Sequence, residues 1–265
     1  MKPVKVLCIG GSDSSGGAGI QADLKAVSAC GCYGMSVITA VTAQNTLGVQ
    51  DIYPVSPKFV AQQLESVLSD IGADVVKTGM LLTSGVVQVV VKKIKEYNIS
   101  KVVVDPVMMA KGGCSLMQDK AREALVKKLL PLAFVVTPNI PEAQNLAKMK
   151  IKSSAAMKKA AALIYKLGAK NVLIKGGHLP GAKQSGAVDI LYDGDKYYEF
   201  SAPWIDSHDT HGTGCTYASA LAAEIARGMN IITAVEKAKK LVTDAIKNSL
   251  NIGAGHGPVN ALFNI

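Results

Sequence analysis

Short runs of β-branched and aliphatic residues alternate along the chain with longer stretches in which apolar residues recur every three to four positions. The short runs lack a regular polar alternation, which is typical of strands buried on both faces of a sheet. The longer stretches predict amphipathic helices, as in residues 57–71, where Val60, Leu64 and Leu68 fall on one face. This order of elements predicts a mostly parallel sheet with helices on both sides.

The limits of each element follow from where its apolar pattern begins and ends. Strands are predicted at residues 4–9, 36–42, 74–77, 101–105, 134–137 and 172–175. Helices are predicted at residues 23–29, 57–71, 86–97, 122–130, 155–167, 213–227 and 231–250. Two further strands, 188–192 and 197–201, flank Asp193-Gly194-Asp195 and predict a β-hairpin. The expected fold is a three-layer αβα sandwich with a small β-hairpin addition, in one domain over residues 1–265.

Composition narrows the class of protein. Hydrophobic residues make up 49% of the chain and aromatic residues only 5%, so the core is expected to be aliphatic. No apolar run reaches the 18 or so residues of a membrane span, and the start of the chain predicts a strand rather than a signal peptide. The 5 cysteines include no C-x-x-C pair, which favours free thiols in a reducing compartment. We therefore expect a cytoplasmic protein without a membrane partner.

The net charge of +9 raises the possibility of nucleic-acid binding. However, the lysines are spread over the chain, and no basic tract is interleaved with aromatic residues. A solvated basic surface explains this distribution better, and it would also attract an anionic substrate such as ATP. We expect no nucleic-acid partner.

A glycine-rich loop follows the first predicted strand. Residues 10–19 contain five glycines, so the backbone there can approach a ligand closely. The loop matches neither G-x-G-x-x-G nor the P-loop pattern, and the chain contains no Gly-Lys dipeptide. A plain flexible turn is the alternative interpretation.

The sharpest local signal is the segment Asp209-Thr210-His211-Gly212-Thr213-Gly214-Cys215, which leads into a predicted helix. A glycine turn that opens a helix presents N–H groups at the positive end of the helix dipole, and this favours an anion such as a transferring phosphoryl group. Cys215 would lie where a side chain could contact the attacking hydroxyl, and a helix N-terminus favours the thiolate. The alternative is a structural turn with a small buried cysteine.

Three charged residues stand where predicted strands end. Asp105 closes one strand and Glu142 follows the next, so both could hold Mg²⁺ with its waters; a structural cap and a first-turn helix acid are the alternatives. Lys175, followed by two glycines, could reach phosphate oxygens or could be an ordinary surface lysine. The histidines lack H-E-x-x-H spacing and no G-x-S-x-G is present, which argues against a metallohydrolase or a serine hydrolase.

The chain resembles the hydroxymethylpyrimidine and phosphomethylpyrimidine kinases of thiamin biosynthesis, a branch of the ribokinase-like superfamily. The resemblance runs nearly end to end. It is carried by residues 11–25 (GSDSSGGAGIQADLK), 36–40, 43–46, 77–80 (KTGM), 105–108 (DPVM), 137–142 (TPNIPE), 175–178 (KGGH) and 210–215 (THGTGC).

The resemblance implies an ATP- and Mg²⁺-dependent enzyme that phosphorylates 4-amino-5-hydroxymethyl-2-methylpyrimidine and then its monophosphate. Its implied catalytic residues are Cys215 and the anion hole of Gly212, Thr213 and Gly214. Its implied pyrimidine-binding residues are Gly11, Ala18, Asp23, Gln44, Met80 and Val107. Its implied ATP-binding residues are Lys175, Thr210, Lys239 and Val242, and its Mg²⁺ residues are Asp105 and Glu142.

Some relatives phosphorylate pyridoxal instead or as well, so a pyridoxal or dual-specificity kinase is the alternative. Relatives specialised for pyridoxal carry a cysteine in the lid after the Pro-Val-Met segment. Ala110 stands at that place here and Cys114 falls later, which favours the pyrimidine. Relatives are commonly dimers, so a homodimer is also expected.

Overall fold

The computed structural model describes residues 3–109 and 113–264. The strands are β1 (Lys5–Asp13), β2 (Tyr33–Asn45), β3 (Gly48–Pro54), β4 (Val75–Thr78), β5 (Val102–Val104), β6 (Val135–Val136), β7 (Val172–Ile174), β8 (Ala187–Tyr192) and β9 (Tyr197–Ala202). The α-helices are α1 (Gly19–Ala29), α2 (Pro57–Asp70), α3 (Ser84–Glu96), α4 (Asp119–Ala124), α5 (Ile140–Ala147), α6 (Ser154–Tyr165), α7 (Ala182–Ser185), α8 (Thr213–Ala226) and α9 (Ile231–Lys247). A π-helical turn continues α4 over Leu125–Leu129.

The strands form one sheet in the order β3-β2-β1-β4-β5-β6-β7-β8-β9. The six strands from β2 to β7 in this order are parallel, whereas β3, β8 and β9 are antiparallel to their neighbours. The predicted α/β architecture, with its β-hairpin of β8 and β9, is confirmed.

Two apolar cores flank the sheet because the strands are buried on both faces. In β1, Leu7 and Ile9 pack into one core, and Val6 and Cys8 pack into the other. Helices α2 to α6 cover the first face, and α1, α8 and α9 cover the second. No helix within the described ranges is long and apolar enough to cross a membrane.

The sequence prediction missed strand β3, helix α5 and the four-residue helix α7. Strand β3 was missed because Gly48–Pro54 lies exposed at the sheet edge and its apolar residues do not alternate regularly with polar ones. Helix α5 was missed because it is short and starts within a Pro-rich segment. Proline is favoured in the first turn of a helix, where its missing N–H leaves no backbone acceptor unpaired.

The strand order reverses beside β1, whose sheet neighbours are β2 and β4. Loops that leave neighbouring parallel strands in opposite directions open a crevice at their carboxyl ends. The glycine-rich loop after β1 lies at this point, so the topology itself places a ligand site there.

Candidate active site

A cavity of about 770 Å³ lies at the carboxyl ends of the parallel strands. Its wall includes every residue that the sequence singled out for chemistry: Gly11, Ala18, Asp23, Gln44, Met80, Val107, Asp105, Glu142, Lys175, Thr210, Gly212, Thr213, Gly214, Cys215, Lys239 and Val242. Segments separated by more than two hundred positions in the chain therefore share one cleft.

The glycine-rich loop and the turn before α8 interlock at the centre of this cleft. His211 Nε2 lies 2.8 Å from Asp13 Oδ2 and donates to it. A Cβ on Gly212 would lie only 1.8 Å from the Gly17 carbonyl oxygen, and a Cβ on Gly17 would lie 2.4 Å from the His211 ring. The two segments approach so closely only because both positions lack a side chain.

The Asp13 carboxylate organises the loop as well as the turn. It accepts hydrogen bonds from the backbone N–H groups of Ser15 and Ala18 at 2.8 Å each, and from the Ser15 hydroxyl at 2.8 Å. Burial opposes its charge, but these hydrogen bonds and the one from His211 hold the pKa of Asp13 at about 2. The Asp13–His211 contact, which we call the clasp, therefore contains a charged Asp13 carboxylate at neutral pH.

Residues 251–259, near the C-terminus, also hold the turn before α8 in place. The N–H of His211 donates to the Gly257 carbonyl at 3.0 Å, and the N–H of Val259 donates to the His211 carbonyl at 3.1 Å. Asp209 accepts from the N–H groups of Asn251 at 3.0 Å and Gly257 at 3.1 Å. His211 is thus fixed through its ring and through both of its backbone polar groups.

Helix α8 begins directly at the clasped turn. Its N-cap is Gly212, with a φ of 78°, and no side chain caps the helix. The Thr213 N–H makes only a long hydrogen bond, 3.4 Å, to the Thr210 carbonyl, so it and the N–H groups of Gly214 and Cys215 can bind an anion in the cavity. The predicted anion-binding turn thus begins a long helix and lines the cleft.

Two carboxylates and a lysine converge beside this helix end. Lys175 Nζ lies 2.9 Å from Asp105 Oδ1, which also accepts from the Thr137 hydroxyl at 3.0 Å. A Cβ on Gly214 would lie 3.4 Å from Lys175 Nζ and 3.9 Å from Asp105 Oδ2. The ion pair therefore borders the first turn of α8. Burial opposes the lysine's charge, but the carboxylates of Asp105 and Glu142 raise the pKa of Lys175.

Glu142 lies in the first turn of α5 and forms a reciprocal capping box with Asn139. The structural interpretation of this acid is therefore correct, and the residue also faces the cavity. Burial and the nearby charge of Asp105 raise the pKa of Glu142 to about 7, although Lys175 acts against them.

Asp105 and Glu142 are suited to a cation that keeps most of its water. In the part of the chain that the structure describes, no group of three or more His, Cys, Asp or Glu side chains could hold a metal ion. Mg²⁺ is commonly bound by one or two carboxylates, with water and substrate phosphates completing its coordination. The two acids therefore fit a Mg²⁺ ion bound in this way.

Cys215 corrects one expectation from the sequence. A helix N-terminus was expected to favour the thiolate, but burial is the larger effect and raises the pKa of Cys215 to about 11. The Lys77 charge and a hydrogen bond from the Gly19 N–H to the sulfur oppose this shift without overcoming it. Cys215 is therefore a protonated thiol at neutral pH.

The far side of the cleft is apolar and narrow. A Cβ on Gly11 would lie 2.9 Å from Met80 Sδ, so a larger residue there would displace that side chain. The Gln44 amide is placed at the edge of this region, with one end 3.1 Å from the Thr42 hydroxyl and the other 3.2 Å from His211 Nε2.

Lys239 reaches the cavity as part of a buried ion pair. Its Nζ lies 2.7 Å from Asp189 Oδ2, which also accepts from the Tyr217 hydroxyl at 2.9 Å. The other oxygen of Asp189 accepts from the Gly176 N–H at 2.8 Å. This network joins α8, α9 and β8 to the glycines that follow Lys175, and Val242 lies one turn further along α9.

Three charged residues of the site were not predicted from the sequence. Asp13, Lys77 and Asp189 line the cavity and make buried hydrogen bonds or ion pairs. A signal existed for Lys77, because a lysine within the apolar run of β4 is buried unless the strand is at an edge. Asp13 followed by two serines fits an Asx turn. Ala110, on which the choice between substrates partly rested, lies outside the described residues.

The comparisons with known proteins agree on one family. The model of the phosphomethylpyrimidine kinase family matches residues 13–260. A hydroxymethylpyrimidine/phosphomethylpyrimidine kinase from Bacillus subtilis is 47% identical over 98% of this chain and 95% of its own length. A thiamine biosynthesis bifunctional protein from Geobacter sulfurreducens is 52% identical over 97% of this chain. This chain spans only 52% of the length of that bifunctional relative.

Solved structures share the whole architecture. The ADP complex of Bacillus subtilis pyridoxal kinase matches with a TM-score of 0.90 and 39% identity, over 98% of both chains. This chain therefore shares its fold with that pyridoxal kinase.

Gly212 gives a sharp test of the interlocked turn. Gly212→Ala should lower turnover about 100-fold, because its methyl group must push the turn away from Gly17 and misplace the N–H groups of α8. Gly228→Ala is the matched control, since Gly228 also has a positive φ, of 87°, but open space around its Cβ. Steady-state kinetics measure the turnover of both variants, and thermal unfolding shows whether each variant keeps its fold. Equal turnover in the two would contradict a role for the close approach.

Glu142 should reduce the stability of the free protein at alkaline pH. Its folded-state pKa of about 7 lies above the ordinary value of 4.5, so stability present below pH 4.5 is lost as pH rises through 7. Glu142→Gln cannot ionise and can keep the capping box. Its melting temperature should exceed that of the parent by about 3 °C more at pH 8 than at pH 5. A difference that does not vary with pH would contradict the shifted pKa.

Proposed function

The chain belongs to the phosphomethylpyrimidine kinase family, and from this premise we propose that it transfers the γ-phosphate of ATP to 4-amino-5-hydroxymethyl-2-methylpyrimidine and then to the resulting monophosphate. The product is the diphosphate used for thiamin assembly. The observation that carries the proposal is the convergence of Cys215, Lys175, Asp105 and the N-terminus of α8 on one cleft. We also propose that residues 1–265 act as one kinase domain in the cytoplasm.

The apolar half of the cleft suits a small flat heterocycle. Gly11 and Ala18 allow close approach of the ring, and Met80 and Val107 supply apolar contact. The Gln44 amide can both donate to a ring nitrogen and accept from an exocyclic amine, a pairing that the aminopyrimidine offers. In this arrangement the hydroxymethyl group points toward Cys215, between the ring site and the anion-binding turn.

Phosphoryl transfer demands positioning and charge stabilisation more than covalent chemistry. The N–H groups from Gly212 to Gly214 would receive the negative charge of the migrating phosphoryl group, and Lys175 would hold it from the side. Mg²⁺, held through water by Asp105 and Glu142, would neutralise charge on the nucleotide phosphates. Thr210 borders the same phosphates in this arrangement.

Cys215 orients the attacking hydroxyl in this mechanism and does not act as a ready base. Its thiol is protonated at neutral pH, since its pKa is about 11. In a largely dissociative transition state the alcohol keeps its proton until late, so alignment contributes more than basicity. The thiol can accept a hydrogen bond from the hydroxyl and hold its oxygen in line with the phosphorus.

Val242 and Lys239 border the end of the cleft that would take the adenine. Because Lys239 is already paired with Asp189 at 2.7 Å, we propose that it shapes this wall and supports Gly176. The ADP complex of the pyridoxal kinase with the same fold supports nucleotide binding in the cleft.

Pyridoxal is the second candidate substrate. The similarity to a pyridoxal kinase structure, at a TM-score of 0.90, is the observation that supports this candidate. The higher identity to a hydroxymethylpyrimidine/phosphomethylpyrimidine kinase, at 47%, supports the pyrimidine as the main substrate.

A homodimer is proposed from the exposed edge of the sheet. Strand β3 is an edge strand, and Tyr53 and Leu47 beside it are 75% and 69% exposed. Unpaired edge N–H and C=O groups next to large apolar side chains favour pairing with another strand. A second copy of this chain offers the same edge and can form a symmetric interface.

The substrate assignment is tested by ADP release from the purified protein with ATP and each alcohol. We expect turnover with hydroxymethylpyrimidine and with its monophosphate, and a kcat/KM for pyridoxal at least about tenfold lower, because a pocket that pairs with the aminopyrimidine leaves polar groups unpaired with pyridoxal. Faster turnover of pyridoxal would reverse the assignment. No turnover of any of the three alcohols would overturn the proposed function.

Cys215→Ala should keep the fold and lose about 100-fold in kcat, because the alcohol is no longer aligned. Cys114→Ser is the matched control, since Cys114 is the other cysteine that is only partly buried. Kinetics and thermal unfolding are measured for both. Unchanged kcat in Cys215→Ala would remove this thiol from the mechanism.

The dimer is tested by charge on the edge strand. Leu47→Lys combined with Tyr53→Lys should shift the sedimentation coefficient from that of a dimer to that of a monomer, because like charges brought together in an apolar contact are unfavourable. Tyr197→Lys, on the opposite edge strand β9, should leave the coefficient unchanged. A monomeric parent protein would refute the proposal directly.

A further inference from the structure

A lysine lies inside the central sheet, beneath the active-site cleft. Lys77, in β4, is only 1% exposed, and its Nζ lies 2.7 Å from Oδ1 of the equally buried Asp23. Both side chains reach the wall of the cavity. Burial opposes the charge of the lysine, but the carboxylate of Asp23 outweighs this and raises the pKa of Lys77, so the ammonium persists at neutral pH.

The same carboxylate oxygen receives a second hydrogen bond. The Ser219 hydroxyl donates to Asp23 Oδ1 at 2.8 Å. Ser219 follows Cys215 by four residues in α8, so the two side chains lie on one face of the helix, one turn apart. Asp23 therefore joins three elements, α1, β4 and α8, at a point one turn below the thiol.

Packing does not explain this arrangement. Apolar residues of similar volume often replace a buried ion pair at little cost or with a gain in stability. Moreover, Asp23 Oδ2 is buried without a hydrogen-bond partner among the described residues, which is unfavourable in a purely structural network. Such a feature is expected where charge and position serve the site above it.

The charge of Lys77 acts on Cys215. Among the charged groups around this thiol, Lys77 has the largest effect on its pKa, and it lowers the value that burial has raised. The Lys77 ammonium also lies close to the backbone of the cavity wall, 3.1 Å from where a Cβ on Gly79 would be.

We propose that Ser219, Asp23 and Lys77 form a positioning triad that fixes Cys215 at the start of α8 and keeps a positive charge beneath it. The inference rests on the proposed function, since its use is to align the alcohol and to favour negative charge where the phosphoryl group arrives. None of the three residues needs to contact the reacting atoms; they act through Cys215 and through the local potential.

The test uses alkylation of Cys215, which needs no substrate. Rate constants for the anionic reagent iodoacetate and the neutral reagent iodoacetamide are measured at pH 9 on the Cys215-containing peptide by mass spectrometry. The basicity of the thiol and its access to solvent affect both rate constants equally. The iodoacetate-to-iodoacetamide ratio therefore reports the charge near the sulfur. The variants are Lys77→Met, Asp23→Asn with Lys77→Met, and Ser219→Ala. Lys101→Met, a partly buried lysine at the amino end of the central strand β5, is the control.

We expect the iodoacetate-to-iodoacetamide ratio to fall about threefold or more in Lys77→Met, by a smaller factor in the double variant, and not at all in Lys101→Met. Ser219→Ala should keep the ratio but lose about tenfold in kcat with an unchanged KM for ATP, because the helix start is less well held. The double variant leaves no unpaired buried charge, so it serves if Lys77→Met fails to fold.

A parental ratio in the folded double variant, or parental kcat in Ser219→Ala, overturns the triad. Failure of the proposed function looks different, because the parent protein would then turn over neither the pyrimidine nor its monophosphate, while the alkylation ratios would still respond to Lys77.

Discussion

The contact between the glycine-rich loop and the turn before α8 is the constraint on which the site depends. Asp13 and His211 lie 198 positions apart in the chain and 2.8 Å apart in space. Their hydrogen bond joins the segment that would cover the pyrimidine to the segment that would hold the phosphate. The bond is possible because Gly17 and Gly212 leave no side chains between the two backbones. Without this close approach the cleft would open, and the thiol, the lysine and the helix end would no longer share a reacting volume.

Charge is concentrated in the cleft at a cost to stability. Glu142 is held where burial and the nearby Asp105 disfavour its ionisation, and the ion pairs of Lys77, Lys175 and Lys239 are all largely buried. Such groups are seldom the most stable choice for a protein interior. They are useful for phosphoryl transfer, where preorganised charges need little rearrangement as the negative charge moves. The two aliphatic cores on either side of the sheet supply the stability that allows this arrangement.

Because Cys215 is protonated at neutral pH, the site would have to align a weakly acidic alcohol without removing its proton early. A base strong enough to remove the proton early is unnecessary when bond breaking to the leaving group runs ahead of attack. What the site must supply is a fixed oxygen position, and a short uncharged side chain at a rigid helix start supplies it. The same logic allows related enzymes to accept different aromatic alcohols, because the ring pocket can change without altering the transfer machinery.

The sequence by itself determined the layers of the fold, the glycine turn that opens α8 and the charged residues that follow the strands. These follow from local signals: apolar periodicity, glycine at a helix start, and acids placed directly after strands. The residues expected around the pyrimidine and the adenine came only from the family resemblance. Only the tertiary structure decided the Asp13–His211 clasp, the Ser219–Asp23–Lys77 junction and the protonation of Cys215. Each of these three features depends on burial and on partners from distant segments. The local sequence specifies neither the burial nor the partners. The edge strand β3 belongs with them, because hydrogen bonds to β2 define it and its own apolar pattern does not.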